Sequence, residues 1–363
     1  MDADLILAFR LARSGLAVRD ARGLAAAAAC PASDFSRDAA LLALAARVEK
    51  ISRETYEQAV DAGELVVAHV IRGAIHALAP RDLGLFGRAL VARDDDELAV
   101  QLGQQVKRLA AEKKFAPSDA LSEVAAATKG ALARGRKLDR TELHEELRQR
   151  VGPELLPWCR GCKSHHVPPM LWRYATVKVG ARLDSERRYL LAKPGRAAAA
   201  SEAVRRFLRF YGPAKPGEFA DWAGLAPAHA RRLWSDVAEE LAEVRVGKGK
   251  AWLLEDDLDT LESPTAAEGI RLIPPGDPFL QKPNRTLLVP KPALAKRLFR
   301  PVASPGAVLQ HGRLAGLWRV KSKGTKTELT VEKLGRLGRK DVEQEAQRVA
   351  ELRGAAELEL VVA

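Results

Sequence analysis

Cysteine is scarce: Cys30, Cys159 and Cys162 are the three in 363 residues. They offer no even framework of the kind that staples small secreted domains, and they fit a reducing compartment. Long apolar runs are absent too, none approaching the ~20 residues of a membrane span. The opening MDADLILAFR carries acids and an arginine where a secretory signal has a basic start and a clean apolar stretch. These absences predict a soluble, cytoplasmic, nucleoid-associated protein with no membrane partner. No phosphate cradle is present either, because GKGK at 247–250 lacks the upstream glycine spacing and strand-helix context that a P-loop requires. No nucleotide cofactor is therefore expected, and no sequence repeat is legible.

What the chain has is size and positive charge. Its length suggests about two or three domains at roughly 150 residues each, and 47% of the residues are apolar, enough for sizeable cores. Lysine and arginine number 59 against 47 acids, a formal charge of +12 and a pI near 9.7. That balance favours a polyanionic partner, nucleic acid first and an anionic membrane surface second.

The patterning predicts an α+β, mainly α chain of tandem winged helix-turn-helix units with a C-terminal mixed α/β cap. The first unit, 1–112, has a helical pattern from Leu5 to Val48, then ISRETYEQAVDAG with a Ser cap and terminating Gly, then a hairpin at ELVVAHVIRGAIHAL. The second, 113–195, has a helix that Ser118 could cap, another capped by Asp139, a third at PPMLWRYATVKVG, and two short strands in ARLDSERRYLLA. The third, 196–258, reads as helix, short helix, the longer basic helix APAHARRLWSDVAEELAEV and the hairpin VRVGKGKAWLL. In a winged helix the third helix usually enters the major groove and the hairpin touches backbone. Arg231, Arg232, Lys248 and Lys250 are thus candidate phosphate contacts, against the alternative of solvated surface charges. The cap, 259–363, has strands joined at His311-Gly312 and Lys323-Gly324, a helix near Lys340 to Arg353 and a last strand ELELVVA; its basic hairpin adds Arg313 as a candidate.

RLIPPGDPFLQ, NRTLLVP and GAVLQHGRLAGLWRV, together with VVAHVIRGAIHAL, resemble the AlkZ/YcaQ-like family of winged-helix DNA glycosylases, over nearly the whole chain. The resemblance implies double-stranded DNA, intact or damaged, as partner, hydrolysis of the N-glycosidic bond of alkylated or crosslinked bases in DNA repair, and no required cofactor; a monomer is expected. Arg72, Gly73 and His76 carry the family's Arg-Gly-x-x-His segment. The family's Gln-x-Gln or Gln-x-Asp motif, which holds the catalytic water, falls on Ser33, Asp34 and Phe35, so both flanking glutamines are missing. A non-catalytic regulator or lesion sensor is the alternative.

Breaking that bond develops positive charge on the sugar, so a carboxylate and a positioned water are the groups to seek. Asp34 is the segment's one carboxylate at that address, with Ser33 beside it. Neighbours alternate in an extended segment, so if Ser33 and Phe35 face the DNA, Asp34 points away and caps the following helix. A one-residue slip would instead present Asp34 and Ser36. Arg72 could grip a phosphate, against an ion pair with a neighbouring helix. His76, and with it His69, could touch DNA, against the alternative of a half-buried strand histidine. Cys159, Cys162 and His165 or His166, His166 being preferred, have the spacing of a zinc knuckle. Four ligands are needed, however, and only a distant Cys30 could complete the set, so zinc is a possibility ranked below a turn of two thiols and a capping histidine.

Overall fold

The computed structural model describes residues 1–36, 38–193 and 198–363. The expected boundary at 195/196 lies outside the described residues. In chain order the elements begin with α1 (Ala3–Arg13), α2 (Leu24–Ala27), β1 (Ala32–Ser33), α3 (Ala39–Ala45), α4 (Arg53–Ala62), β2 (Val66–His69), β3 (Ile75–Leu78) and α5 (Leu83–Phe86). There follow α6 (Asp95–Lys113), α7 (Pro117–Ala131), α8 (Arg140–Arg150), β4 (Trp158–Cys159), β5 (Ser164–His165), α9 (Pro169–Val179), β6 (Ala181–Leu183) and β7 (Tyr189–Leu191). Next come α10 (Glu202–Tyr211), α11 (Pro216–Ala223), α12 (Pro227–Ser235), β8 (Leu241–Val246), β9 (Gly249–Leu254) and α13 (Leu258–Glu262). The last are β10 (Ile270–Ile273), α14 (Lys282–Leu288), α15 (Pro292–Leu298), β11 (Gly306–Gln310), β12 (Arg313–Lys323), β13 (Lys326–Lys333), α16 (Arg339–Leu352) and β14 (Glu357–Val362).

These elements gather into two compact units, one of residues 1–56, 205–215 and 239–363, the other of 57–204 and 216–238. The grouping differs from the four consecutive stretches expected. The helix-helix-helix-hairpin order of α10, α11, α12 and β8–β9 is present, but its residues are shared between the units.

The first unit is organised on the sheet β10-β11-β12-β13-β14, antiparallel until the parallel pair β13–β14, whose crossover is α16. Its buried face meets Leu11, Leu16, Phe279, Leu280, Val289 and Leu298 in one core. Trp318 fixes the sheet's entry by donating its indole N–H to the Ile273 carbonyl at 2.9 Å. In the second unit β2–β3 is the expected hairpin, with Val66 opposite Leu78 and His69 opposite Ile75; β6 pairs with β2 and with β7. α7 packs on α8 and α9, burying Leu121, Val124, Leu143, Leu147 and Leu171. Burial of five such side chains favours folding by roughly 1.5–3 kcal/mol each.

Local signals held at α4, where Ser52 Oγ accepts from Thr55 N–H at 3.1 Å, and at α8, where Asp139 and Glu142 form a capping box. Three expectations need correction. Ser118 is not a cap: α7 starts with Pro117 at its first position, and the Ser118 N–H donates to Asp95 at 2.7 Å instead. The basic helix stops at Ser235, because LAEVRV alternates and pairs as β8 with β9. The stretch from Leu5 to Val48 is not helical throughout, since Gly15 and Gly23 turn the chain at positive φ and β1 intervenes.

Candidate active site

Ser33 ends β1, Asp34 and Phe35 follow it before α3, and the three side chains alternate in exposure. Ser33 is half-buried and Phe35 is 62% exposed, whereas Asp34 is 1% exposed. The Asp34 carboxylate accepts from the Ala40 N–H at 3.3 Å. Ala40 is the second residue of α3, whose N–H groups have no partner within the helix, so Asp34 caps α3 from upstream. Asp38, which stands in the usual cap position, makes no cap bond. Its carboxylate is held instead by Arg53 at 2.6 Å and Arg353 at 2.9 Å.

Beneath the segment a polar network is sealed in the same unit. Arg47 grips Asp277 with two nitrogens at 2.8 and 2.9 Å and donates to the carbonyls of Ser14 and Ala43. Tyr211 donates to the Pro278 carbonyl at 2.9 Å and lies 3.7 Å from Cys30 Sγ. Burial pushes the Cys30 thiol up to about 12 and Tyr211 well above its ordinary range, so both stay neutral. Cys30 is thereby committed to the core of its own unit. These groups are floor, not catalyst.

Phe35 stacks over Gly276, where a Cβ would fall 2.6 Å from the ring and where φ is +81°; only glycine permits both. Beside it opens a cavity of about 530 Å³ lined by Asp38, Arg285, Trp318, Arg319 and Arg353, among others. Sequence reasoning missed Asp38, Arg53 and Arg353. Arg353 arrives just past α16, 315 residues from its partner, and no local pattern announces such a pairing.

The other candidates fall in different settings. Arg72 is exposed, in a left-handed conformation with φ of 56°, and makes no ion pair among the described residues. Its stem lies so close over Gly224 that a Cβ there would sit 2.5 Å from Cγ. His76 is 6% exposed and its Nδ1–H donates to the Ala74 carbonyl at 3.0 Å; burial, against that bond and with help from Arg72, pushes its pKa down to about 4. It is neutral near pH 7, which matches the buried-histidine alternative rather than a cationic phosphate contact. His69 is also a core group, 2.9 Å from Thr176 Oγ1 and stacked on Tyr189. Arg231 and Lys248 are exposed, while Arg232 pairs with Glu97 at 2.6 Å, Lys250 with Glu243 at 2.9 Å and Arg313 with Asp4 at 2.8 Å. Exposed pairs of this kind are worth about 0–1 kcal/mol and are readily exchanged for a phosphate. Cys159, Cys162 and His166 come together, their ligand atoms within 4.8 Å of one another.

The model of the family described as "DNA glycosylase AlkZ-like" matches residues 26–352. A curated relative, the interstrand DNA cross-link repair glycosylase of Streptomyces sahachiroi, is 31% identical over 169 residues, 44% of this chain. The match spans 44% of that relative's length. The solved structure of Streptomyces sahachiroi DNA glycosylase AlkZ superposes with a TM-score of 0.76 at 22% identity, covering all of both chains, which shows a shared α+β fold. No helix among the described residues is long and apolar enough to cross a membrane. The family match over 26–352, containing the Ser33–Phe35 segment and the Arg72–His76 hairpin, establishes that this chain belongs to the AlkZ-like DNA glycosylase family.

Proposed function

We propose that this protein binds duplex DNA and recognises lesions in it without the water-positioning chemistry of its family. The observation that carries the reading is the inward turn of Asp34, which leaves the hydrocarbon of Phe35 and the hydroxyl of half-buried Ser33 at the two positions the sequence resemblance assigns to the family's polar groups. A buried carboxylate occupied by a helix N–H reaches neither a sugar nor a water beside it. Asp38, the next carboxylate, is neutralised by two arginines.

DNA binding is supported by family membership, by the net charge of +12 and by exposed Arg72, Arg231 and Lys248. The winged-helix units expected at 1–112, 113–195 and 196–258, with the α/β cap at 259–363, would carry the contacts, chiefly to phosphates. A monomer in the cytoplasm that needs no cofactor is part of the same proposal. A second reading, excision restricted to bases that are already cationic and leave readily, is favoured by the half-buried Ser33 hydroxyl at the first polar position.

Restoring the family pattern tests the first reading. Introducing Ser33→Gln and Phe35→Gln together should create abasic sites in duplexes carrying N7-alkylated guanine where the parent creates none. If the parent already releases base, and Ser33→Ala abolishes release with DNA affinity unchanged, the second reading stands and the first fails.

A further inference from the structure

The segment Trp158-Cys-Arg-Gly-Cys-Lys-Ser-His-His166 takes no part in the site above. It forms a hairpin whose strands, β4 and β5, have two residues each, pairing Trp158 with His165 and Cys159 with Ser164. Hairpins that small are not stable alone in water. Its support is a Trp158–His165 ring contact and the His165 bond to the Leu156 carbonyl, while Trp158 is 56% exposed and Arg160, Cys162 and Lys163 are exposed. Lys163 also holds a positive φ of 50°, a conformation that disfavours a side chain with a Cβ. The local energetics call for a crosslink.

The donors for one are already gathered. Cys159 Sγ, Cys162 Sγ and a His166 ring nitrogen lie within 4.8 Å of one another. His166 Nδ1 lies 2.8 Å from the Val167 carbonyl; a carbonyl only accepts, so the proton is on Nδ1 and the lone pair on Nε2. That Nε2 is shielded from solvent and has no partner in hydrogen-bonding geometry among the described residues, the Cys159 and Cys162 sulfurs lying within 4.8 Å of the ring's ligand nitrogen. A fixed tautomer with the other nitrogen bare is what a metal-ligating histidine needs. Zinc at ~2.3 Å from sulfur and ~2.0 Å from nitrogen requires donors roughly 3.5–3.8 Å apart, against the 4.8 Å within which these three lie.

We infer that Cys159, Cys162 and His166 bind one zinc ion, with its fourth position open to solvent at exposed Cys162. The ion binds as two thiolates displace water from zinc, releasing one proton for each cysteine that was protonated. It orders the hairpin that presents Trp158, Arg160 and Lys163.

The experiment uses the full chain expressed with zinc in the medium and purified without chelators. Elemental analysis should give about one zinc per chain, falling about tenfold in Cys162→Ser and in His166→Gln. Because loss of a ligand also loosens this hairpin, a second readout uses the parent alone: exchange of zinc for cobalt(II) should give an intense thiolate-to-cobalt absorption in the near ultraviolet. Parent protein with less than about a tenth of an ion per chain and no cobalt–thiolate band overturns the inference. So does a Cys159–Cys162 disulfide in freshly purified protein, or a zinc content unchanged in both variants.

Discussion

The two compact units bury polar groups in opposite ways. The unit of 1–56, 205–215 and 239–363 buries arginines: Arg47 on Asp277, and Arg10 on the carbonyls of Gly212, Pro213 and Pro283 and the Asn284 side chain. The unit of 57–204 and 216–238 buries histidines, and six of the seven in the chain, all but His311, lie in it. An arginine stays charged across the accessible pH range and must be fully satisfied where it sits. A buried histidine stays neutral and becomes a liability when acid would charge it. The first unit is thus built for fixed geometry under the candidate site, the second for a neutral-pH core.

Acid should break this contrast most strongly. Burial, then nearby arginines, hold His69 at about 3, and burial holds His76 at about 4. Below pH ~6.5 the unfolded chain binds a proton at each while the folded chain does not, so stability is full above that pH and is lost as pH falls toward the folded values. Two protons give a slope of about 2.7 kcal/mol per pH unit. Hydrogen exchange at β2–β3 should accelerate between pH 6.5 and 5, after correction for intrinsic rates, before exchange at β12–β13 does.

Removing one partner of the buried pair comes next. Arg47→Ala should cost about 3–5 kcal/mol by leaving Asp277 unpaired, read as a lower denaturant midpoint for the first unit with second-unit probes unmoved. Asp34→Ala should cost about 1 kcal/mol, the value of a helix cap, with DNA affinity unaltered. Arg72→Gln should have a smaller effect still, lowering the log–log salt slope of DNA binding by about 0.9, one phosphate contact. Lys250→Gln, whose lysine already has Glu243, should change it less.

The sequence made local features legible and distant pairings illegible. The Asp139 cap, the β2–β3 hairpin and the turns joining β11 to β12 and β12 to β13 follow from short-range spacing. At the candidate site, period-two alternation already implied that if Ser33 and Phe35 face outward, Asp34 turns inward. What no spacing could say is that Arg353 and Arg53 occupy Asp38, that Gly276 receives Phe35, or that Glu97 holds Arg232. Those depend on side chains brought together by the core. The end of α12 at Ser235 was missed because AEELAEV has good helix formers that tertiary pairing as β8 overrode.

The most direct measurement is single-turnover base release from a duplex containing N7-alkylated guanine, comparing the parent with Asp34→Asn at matched DNA occupancy. The account predicts tight, salt-sensitive binding by both and no abasic sites above the spontaneous rate from either. Abasic sites formed by the parent and lost in Asp34→Asn, with binding and melting temperature unchanged, would place the reaction on the carboxylate assigned here to a helix cap.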